Sequence, residues 1–297
     1  MTVMAATPID GRKIAADIRS EVQKAAAALA KDRNIVPGLG FILVGENAAS
    51  QSYVRSKGKA CAEMGFHSET LQLPESTSEK EILTLIRTWN TDPRIHGILV
   101  QLPLPPHMNE QHVIEVIDPQ KDVDGFHPVN VGRLVIGLEC FAPCTPAGIQ
   151  ELLTRSGNDP AGKHVVVVGR SNIVGKPVAN LLLQKRMGAN AVVTVAHTGA
   201  RDIAHFTKDA DILIAAVGRA GMITGAMLKQ GAVVIDVGIN RVSDPTTKSG
   251  SRLVGDVHFA SAVEVASAIT PVPGGVGPMT IAMLMRNTLL AAVRSLD

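Results

Sequence analysis

Val165-Val166-Val167-Val168-Gly169-Arg170-Ser171-Asn172-Ile173-Val174-Gly175-Lys176-Pro177 decides the fold. Four consecutive valines make a strand that is apolar on both faces, and only a sheet covered on both sides can bury it. Gly169 closes that strand, a tight turn follows, and a helix is expected to open at Gly175. Backbone N–H groups at such a helix start are expected to receive an anionic phosphate. Strand, glycine turn and helix in this order are the pattern of a dinucleotide-binding unit. The match to G-x-G-x-x-G is incomplete, because Ser171 stands where the second glycine belongs.

Outward from this stretch the apolar pattern keeps alternating between strand and helix. Strands are expected over 164–168, 191–195, 211–215 and 232–237, with helices between them starting near Gly175, Asp202 and Thr224. That spacing predicts a doubly wound, Rossmann-type unit. It begins near Thr145-Pro146, where threonine suits the N-cap and proline the first helical position. In the first half, Asp10 is expected to cap a helix whose face carries Ile14, Ile18, Val22 and Leu29, and Pro37-Gly38 ends it. Strands are expected over 39–44, 71–73 and 97–102. A helix over 50–63 stops at Gly65, Ser78 and Glu81 form a capping box before Ile82, and 113–117 is helical again. The whole predicts an α/β protein of two domains: residues 1–144, an N-terminal α/β catalytic domain, and 145–279, the dinucleotide-binding domain. A cleft is expected between them. The last helix, 280–297, is apolar on more than one face and is expected to pack back onto the first domain.

Composition narrows the class. The 297 residues carry 29 Lys+Arg against 27 Asp+Glu, a net charge of +2, and aromatic residues are 3%. Neither bulk charge nor an aromatic platform supports nucleic-acid binding. Three cysteines are too few for a disulfide scaffold. Cys140 and Cys144, with Phe141-Ala142-Pro143 between them, read as small buried residues rather than a metal knuckle. The N-terminus lacks the basic start and apolar run of a signal peptide. The apolar run over 281–293 is interrupted by Arg286 and Asn287, so no membrane span is expected. A reduced, cytoplasmic protein is the expectation. None of the nine histidines falls in a metal-binding spacing, and no metal is expected. His127, just past an acidic loop, is the one histidine to watch.

The cofactor can be argued one step further. An NAD site usually places an acid at the end of the next strand to hold the ribose hydroxyls. Here that segment reads Val195-Ala196-His197-Thr198. Arg170, in the glycine turn, matches a 2′-phosphate instead. Both features favour NADP.

Three features of the first half stand out. Tyr53, the single tyrosine, and Lys57 are four apart and share a helix face. Gln101 follows the strand Ile98-Leu99-Val100 at the end where parallel sheets place ligands. Asp122 and Asp124 flank Val123 in the turn-rich segment Lys121-Asp122-Val123-Asp124-Gly125-Phe126.

Together with Tyr53-Val54-Arg55-Ser56-Lys57, Gly97-Ile98-Leu99-Val100-Gln101-Leu102-Pro103-Leu104-Pro105 and Pro271-Val272-Pro273-Gly274-Gly275-Val276-Gly277-Pro278-Met279-Thr280, these segments resemble the bifunctional methylenetetrahydrofolate dehydrogenase/methenyltetrahydrofolate cyclohydrolase family over nearly the whole chain. The chain is too short for the formyltetrahydrofolate synthetase domain appended in some relatives. The resemblance implies oxidation of 5,10-methylenetetrahydrofolate by NADP+, then hydrolysis of the methenyl cation to 10-formyltetrahydrofolate. Lys57 is implied as the catalytic base and Gln101 as the amide that holds it. A cation-flanked, partly buried lysine can lose its proton and accept one from water. Tyr53, Val100, Leu102, Asp124 and the backbone of Pro273, Gly274, Gly275, Val276 and Gly277 are implied in folate binding. Asp124 is placed to accept paired N–H groups of the pterin, and Asp122 is read as a turn residue. Gly169, Arg170, Ser171, Thr198 and Ile239 are implied in NADP binding, with Ile239 on the nicotinamide side. A homodimer is implied by resemblance alone. Two other readings compete: an NADP-linked dehydrogenase of a small amino or hydroxy acid on the same plan, and a nucleotide-sensing protein without turnover.

Overall fold

The computed structural model describes residues 6–247 and 250–296. The first residues of the N-terminal segment read above, and residue 297 of the last helix, lie outside the described residues. The chain divides into two compact units, one of residues 16–144 and 281–297, the other of 1–15 and 145–280.

In the first of these, three parallel strands lie in the order His67–Leu73, Gly38–Val44, Gly97–Val100. The central strand is buried at every residue, as its unbroken apolar sequence requires. Helix Ala48–Glu63 follows the central strand. Helix Glu79–Thr91 precedes Gly97–Val100, and its capping box at Ser78 and Glu81 forms with both partners engaged. Ile82, Ile86 and Trp89 of that helix pack with Ile42, Ile98 and Val113 in one core cluster. Beyond the edge strand, the Ile98 N–H donates to the Lys121 carbonyl at 2.8 Å, and Ile98 bridges to Asp122 in parallel register. The acidic loop is therefore one more rung on the sheet. Lys121 anchors it from the other side, its Nζ donating to the carbonyls of Trp89 (2.9 Å) and Asp92 (2.8 Å). Helix Pro128–Val135, which the apolar pattern did not suggest, starts where His127 Nδ1 accepts the Val129 N–H at 3.1 Å and proline takes the first turn. His127 is thus a helix cap.

The second unit holds a six-stranded, wholly parallel sheet. Its order is Thr7–Pro8, Ala268–Ile269, Val233–Asp236, Ile212–Ala215, His164–Val168, Val192–Ala196. Apart from the first short strand this is a 2-1-3-4-5 order. The chain reverses direction across the sheet at His164–Val168 and Ile212–Ala215, and such a sheet opens a ligand crevice beyond the carboxyl ends of those strands.

Several expectations change. A boundary at residue 1 for the first domain does not match the contacts, because Thr7–Pro8 pairs with Ala268–Ile269. The Thr7 N–H donates to Ser267 O and the Ile9 N–H to Ile269 O, each at 2.8 Å. Two residues without alternation carry no strand signal, and only the edge they join defines them. The helix expected near Asp202 is a single turn, Ala204–Thr207, and that near Thr224 is a 3-10 turn, Gly225–Met227. An antiparallel hairpin, Asn240–Ser243 with Ser251–Val254, was not anticipated. The last helix runs Val276–Arg294, so it starts four residues early. Within its 19 residues an 18-residue stretch has a mean hydropathy of 1.3, enough by length and composition to cross a membrane, but 56% of that stretch is buried. It is a core helix. From residue 281 on it groups with the first unit, where the Cys61 thiol meets Met285 Sδ at 3.8 Å.

Candidate active site

Helix Ala48–Glu63 buries Val54, Ala60 and Cys61, and the same packing carries Lys57 inward. Lys57 is only 8% exposed, yet its Nζ donates to Gln101 Oε1 at 3.1 Å. Gln101 is the first residue past Gly97–Val100 and is fixed at two further points. Its backbone N–H donates to Ile42 O at 2.9 Å and its Nε2 to Leu102 O at 2.8 Å. Because Nε2 must face a carbonyl, the amide oxygen is the atom left for the lysine. The partner of the amine is therefore polar but uncharged. Tyr53 lies one helical turn before Lys57 and is 46% exposed. Val100 is buried and Leu102 half-buried beside Gln101.

Asp122 is buried, and its carboxylate gathers the loop. Oδ1 accepts the N–H groups of Gly125 (3.1 Å) and Phe126 (3.2 Å). Oδ2 accepts the His127 N–H (2.8 Å) and Asn130 Nδ2 (2.9 Å). Burial raises its pKa, and the Asn130 amide and the backbone donors oppose the rise. The reading of Asp122 as a turn residue fits. Asp124, two residues on, has no such set of donors. Its Oδ1 meets the Cys144 thiol at 3.7 Å. Burial pushes the Asp124 carboxyl up, while the charge of nearby Lys57 pulls it down. Burial first, then the charge of Asp124, push the Cys144 thiol well above its ordinary range. Cys144 is consequently a hydrogen-bond donor here, not a nucleophile.

In the other unit, Gly169 has φ +133°, and a Cβ on it would run into the carbonyl of Ala216. Only glycine fits that turn. The expectation that the helix start at Gly175 offers its N–H groups to a phosphate needs correction. Ser171 Oγ accepts the N–H groups of Val174 (3.2 Å) and Gly175 (3.3 Å), and Ser171 O accepts that of Lys176 (3.1 Å). The serine in the second-glycine position engages these N–H groups from the turn before the helix, whose N-cap residue, Val174, makes no side-chain cap. Arg170 and Thr198 are both exposed at the carboxyl ends of neighbouring strands. A free guanidinium, a bare glycine backbone and the absence of an acid at the end of Val192–Ala196 suit a 2′-phosphorylated dinucleotide.

The turn Pro271–Pro278 lines a cavity of about 160 Å³ together with Arg12, Asp236, Ile239 and Leu253. Gly274 has φ +113°, so the chain turns there without a side chain. Ile239 is half-exposed and sits against Gly277. Two carboxylates that the sequence reading passed over hold this region. Asp236 accepts the N–H groups of Gly238 (3.0 Å), Asp256 (2.8 Å) and Val257 (3.0 Å), and burial pushes it up to about 6 against those donors. Asp256 accepts Val217 and Gly218 N–H groups (2.7 and 2.9 Å) and Asn240 Nδ2 (2.8 Å). The two aspartates thereby fix both neighbours of Ile239. An acid closing the buried strand Val233–Asp236 was the available signal.

Two family models match this chain. Residues 9–124 match the tetrahydrofolate dehydrogenase/cyclohydrolase catalytic domain, and residues 143–296 match the NAD(P)-binding domain of the same family. The chain belongs to the tetrahydrofolate dehydrogenase/cyclohydrolase family. Among its relatives, a bifunctional protein FolD of Syntrophus aciditrophicus is 60% identical over 289 residues, covering 97% of this chain and 98% of that one. The solved bifunctional FolD methylenetetrahydrofolate dehydrogenase/cyclohydrolase of Campylobacter jejuni is 47% identical, with a TM-score of 0.92 over 98% of this chain and 100% of that one. The Trypanosoma brucei methylenetetrahydrofolate dehydrogenase-cyclohydrolase, solved with NADP cofactor and an inhibitor, is 42% identical, with a TM-score of 0.93 over 99% of each chain. Membership in this family speaks against the amino-acid or hydroxy-acid dehydrogenase reading.

Proposed function

We propose that the chain oxidises 5,10-methylenetetrahydrofolate to the 5,10-methenyl form with NADP+ and then hydrolyses that cation to 10-formyltetrahydrofolate. The observation that carries this reading is the buried Lys57 amine held by a neutral amide at the carboxyl end of a parallel strand. NADP+ supplies a hydride acceptor when bound. The oxidation asks the protein for no proton transfer, since the nitrogen lone pairs of the folate expel the hydride. The residues need only orient the bridging carbon. Hydrolysis forms a bond from water oxygen to the cationic carbon and breaks that carbon's bond to N5, which takes up a proton, so that one proton is released overall. Lys57 takes a proton from the attacking water at Nζ. Gln101 aims that amine through its amide oxygen.

Tyr53 covers the folate rings, and Val100 and Leu102 border them. Asp124 accepts two N–H donors of the pterin, which restore the carboxylate that burial disfavours. The backbone of Pro273, Gly274, Gly275, Val276 and Gly277 comes close to substrate where side chains would intrude. Gly169 and Ser171 shape the dinucleotide turn, Arg170 and Thr198 meet the adenosine 2′-phosphate, and Ile239 borders the nicotinamide. Mixing the protein with methylenetetrahydrofolate and NADP+ tests the reading in one cuvette. NADPH absorbance should rise and methenyl absorbance should pass through a transient. Binding of both compounds without turnover would favour a sensor instead.

Two variants probe the binding roles. Asp124→Ala should weaken folate about 10- to 100-fold in both reactions, the range for a hydrogen bond to a charged group. Unchanged folate affinity would remove the pterin contact. Arg170→Ala should raise the KM for NADP+ by about tenfold or more and that for NAD+ by about twofold or less. Equal effects would show that the guanidinium does not read the phosphate.

A further inference from the structure

Asn287 sits in the buried half of helix Val276–Arg294 and is 6% exposed. Its Nδ2 donates to Val123 O at 2.8 Å and to Ala142 O at 3.0 Å, so both amide hydrogens are spent on main-chain carbonyls. The Cys144 sulfur lies 3.8 Å from the same nitrogen, and its thiol is 3.4 Å from Val123 O and 3.7 Å from Asp124 Oδ1. The carbonyl of Val123 and the N–H of Asp124 belong to one rigid peptide plane. A donor bound to that carbonyl sets the orientation from which the Asp124 side chain departs. Val123 is fully buried, and its own N–H, in the preceding peptide, donates to Lys121 O at 2.9 Å.

We propose that Asn287 is a positioning residue for folate recognition: it locks the Val123–Asp124 peptide from which the Asp124 side chain departs. The inference rests on the reading of Asp124 as the pterin-binding group. It assigns the buried middle of the C-terminal helix, beyond the first turn that holds Val276 and Gly277, a part in substrate binding exerted without direct contact. The chemistry is directional. An ionised aspartate of the same shape has no donor to offer and would set oxygen against oxygen at both carbonyls.

The test uses the full chain with Asn287→Ala, Asn287→Ser and Asn287→Asp, alone and combined with Asp124→Asn. Folate KM, NADP+ KM and kcat are measured for each. Asn287→Ala should raise folate KM about tenfold and leave NADP+ KM within about twofold, since the loss of one hydrogen-bond set is worth about that factor. Asn287→Ser, which keeps one donor, should recover part of it. Asn287→Asp should be worse than alanine, and if it does not fold the alanine and serine variants decide. In the Asp124→Asn background, Asn287→Ala should add less than about twofold, because the residue acts through Asp124. Unchanged folate KM in Asn287→Ala, or an equal rise in NADP+ KM, overturns the proposal while Asp124→Asn still weakens folate. If Asp124→Asn itself leaves folate KM unchanged, the pterin reading falls and this inference falls with it.

Discussion

Lys57→Met is expected to lower cyclohydrolase kcat by about 10²- to 10⁴-fold, the usual worth of a positioned general base. Methionine keeps the unbranched apolar stem that the helix Ala48–Glu63 packs inward, and it removes only the amine. Gln101 stays fixed, because its N–H to Ile42 and its Nε2 to Leu102 do not depend on the lysine. Dehydrogenase turnover, which needs no base, should fall by less than about tenfold through lost orientation alone. Lys57→Arg sharpens the test. A guanidinium keeps the charge and cannot be deprotonated in a protein, so arginine should be as defective in hydrolysis as methionine. Hydrolysis at the wild-type rate in either variant would end the base assignment.

Gly169→Ala is expected to have the second largest effect, and on the other unit. At φ +133° alanine is strained by about 1–3 kcal/mol. Its methyl would also meet the Ala216 carbonyl, and overpacking of this kind adds about 1–3 kcal/mol more. The carboxyl ends of His164–Val168 and Ile212–Ala215 would have to separate, because the Gly169 N–H is tied to Ala196 O at 2.8 Å and the Ala216 N–H to Val168 O at 2.8 Å. The KM for NADP+ should rise by tenfold or more, on the order of the strain energy released when the turn opens. The midpoint of chemical denaturation should fall as well. Cyclohydrolase kcat, which uses no dinucleotide, should hold within about twofold if the residues assigned to it act independently of this turn. An alanine variant with wild-type NADP+ KM and stability would mean the turn is looser than its geometry implies.

The features legible in the sequence were those that repeat locally. Four valines before Gly169 announced a buried parallel strand, and Ser78 with Glu81 announced a helix start, because their partners lie within a few residues. Lys57 and Gln101 were paired in advance through a resemblance carried by long motifs, and the structure joins them across 44 residues of sequence. What escaped was decided at long range. Thr7–Pro8 is a strand only because Ala268–Ile269 offers an edge. Ser171 reads as a missing glycine, whereas its hydroxyl accepts two N–H groups of the turn, which a glycine could not do. Asn287 looked like an interruption of an apolar helix, yet its partners are carbonyls 145 and 164 positions away. Asp256 gave no pattern at all, since the groups it holds come from two segments distant in sequence, Val217-Gly218 and Asn240.

The most direct measurement follows hydrolysis and oxidation against pH in the same preparation. If the Lys57 amine is the base, cyclohydrolase kcat/KM rises with pH through one ionisation that the dehydrogenase profile lacks, and that ionisation vanishes in Lys57→Met. The same ionisation persisting in the methionine variant, or appearing equally in both reactions, would contradict the assignment.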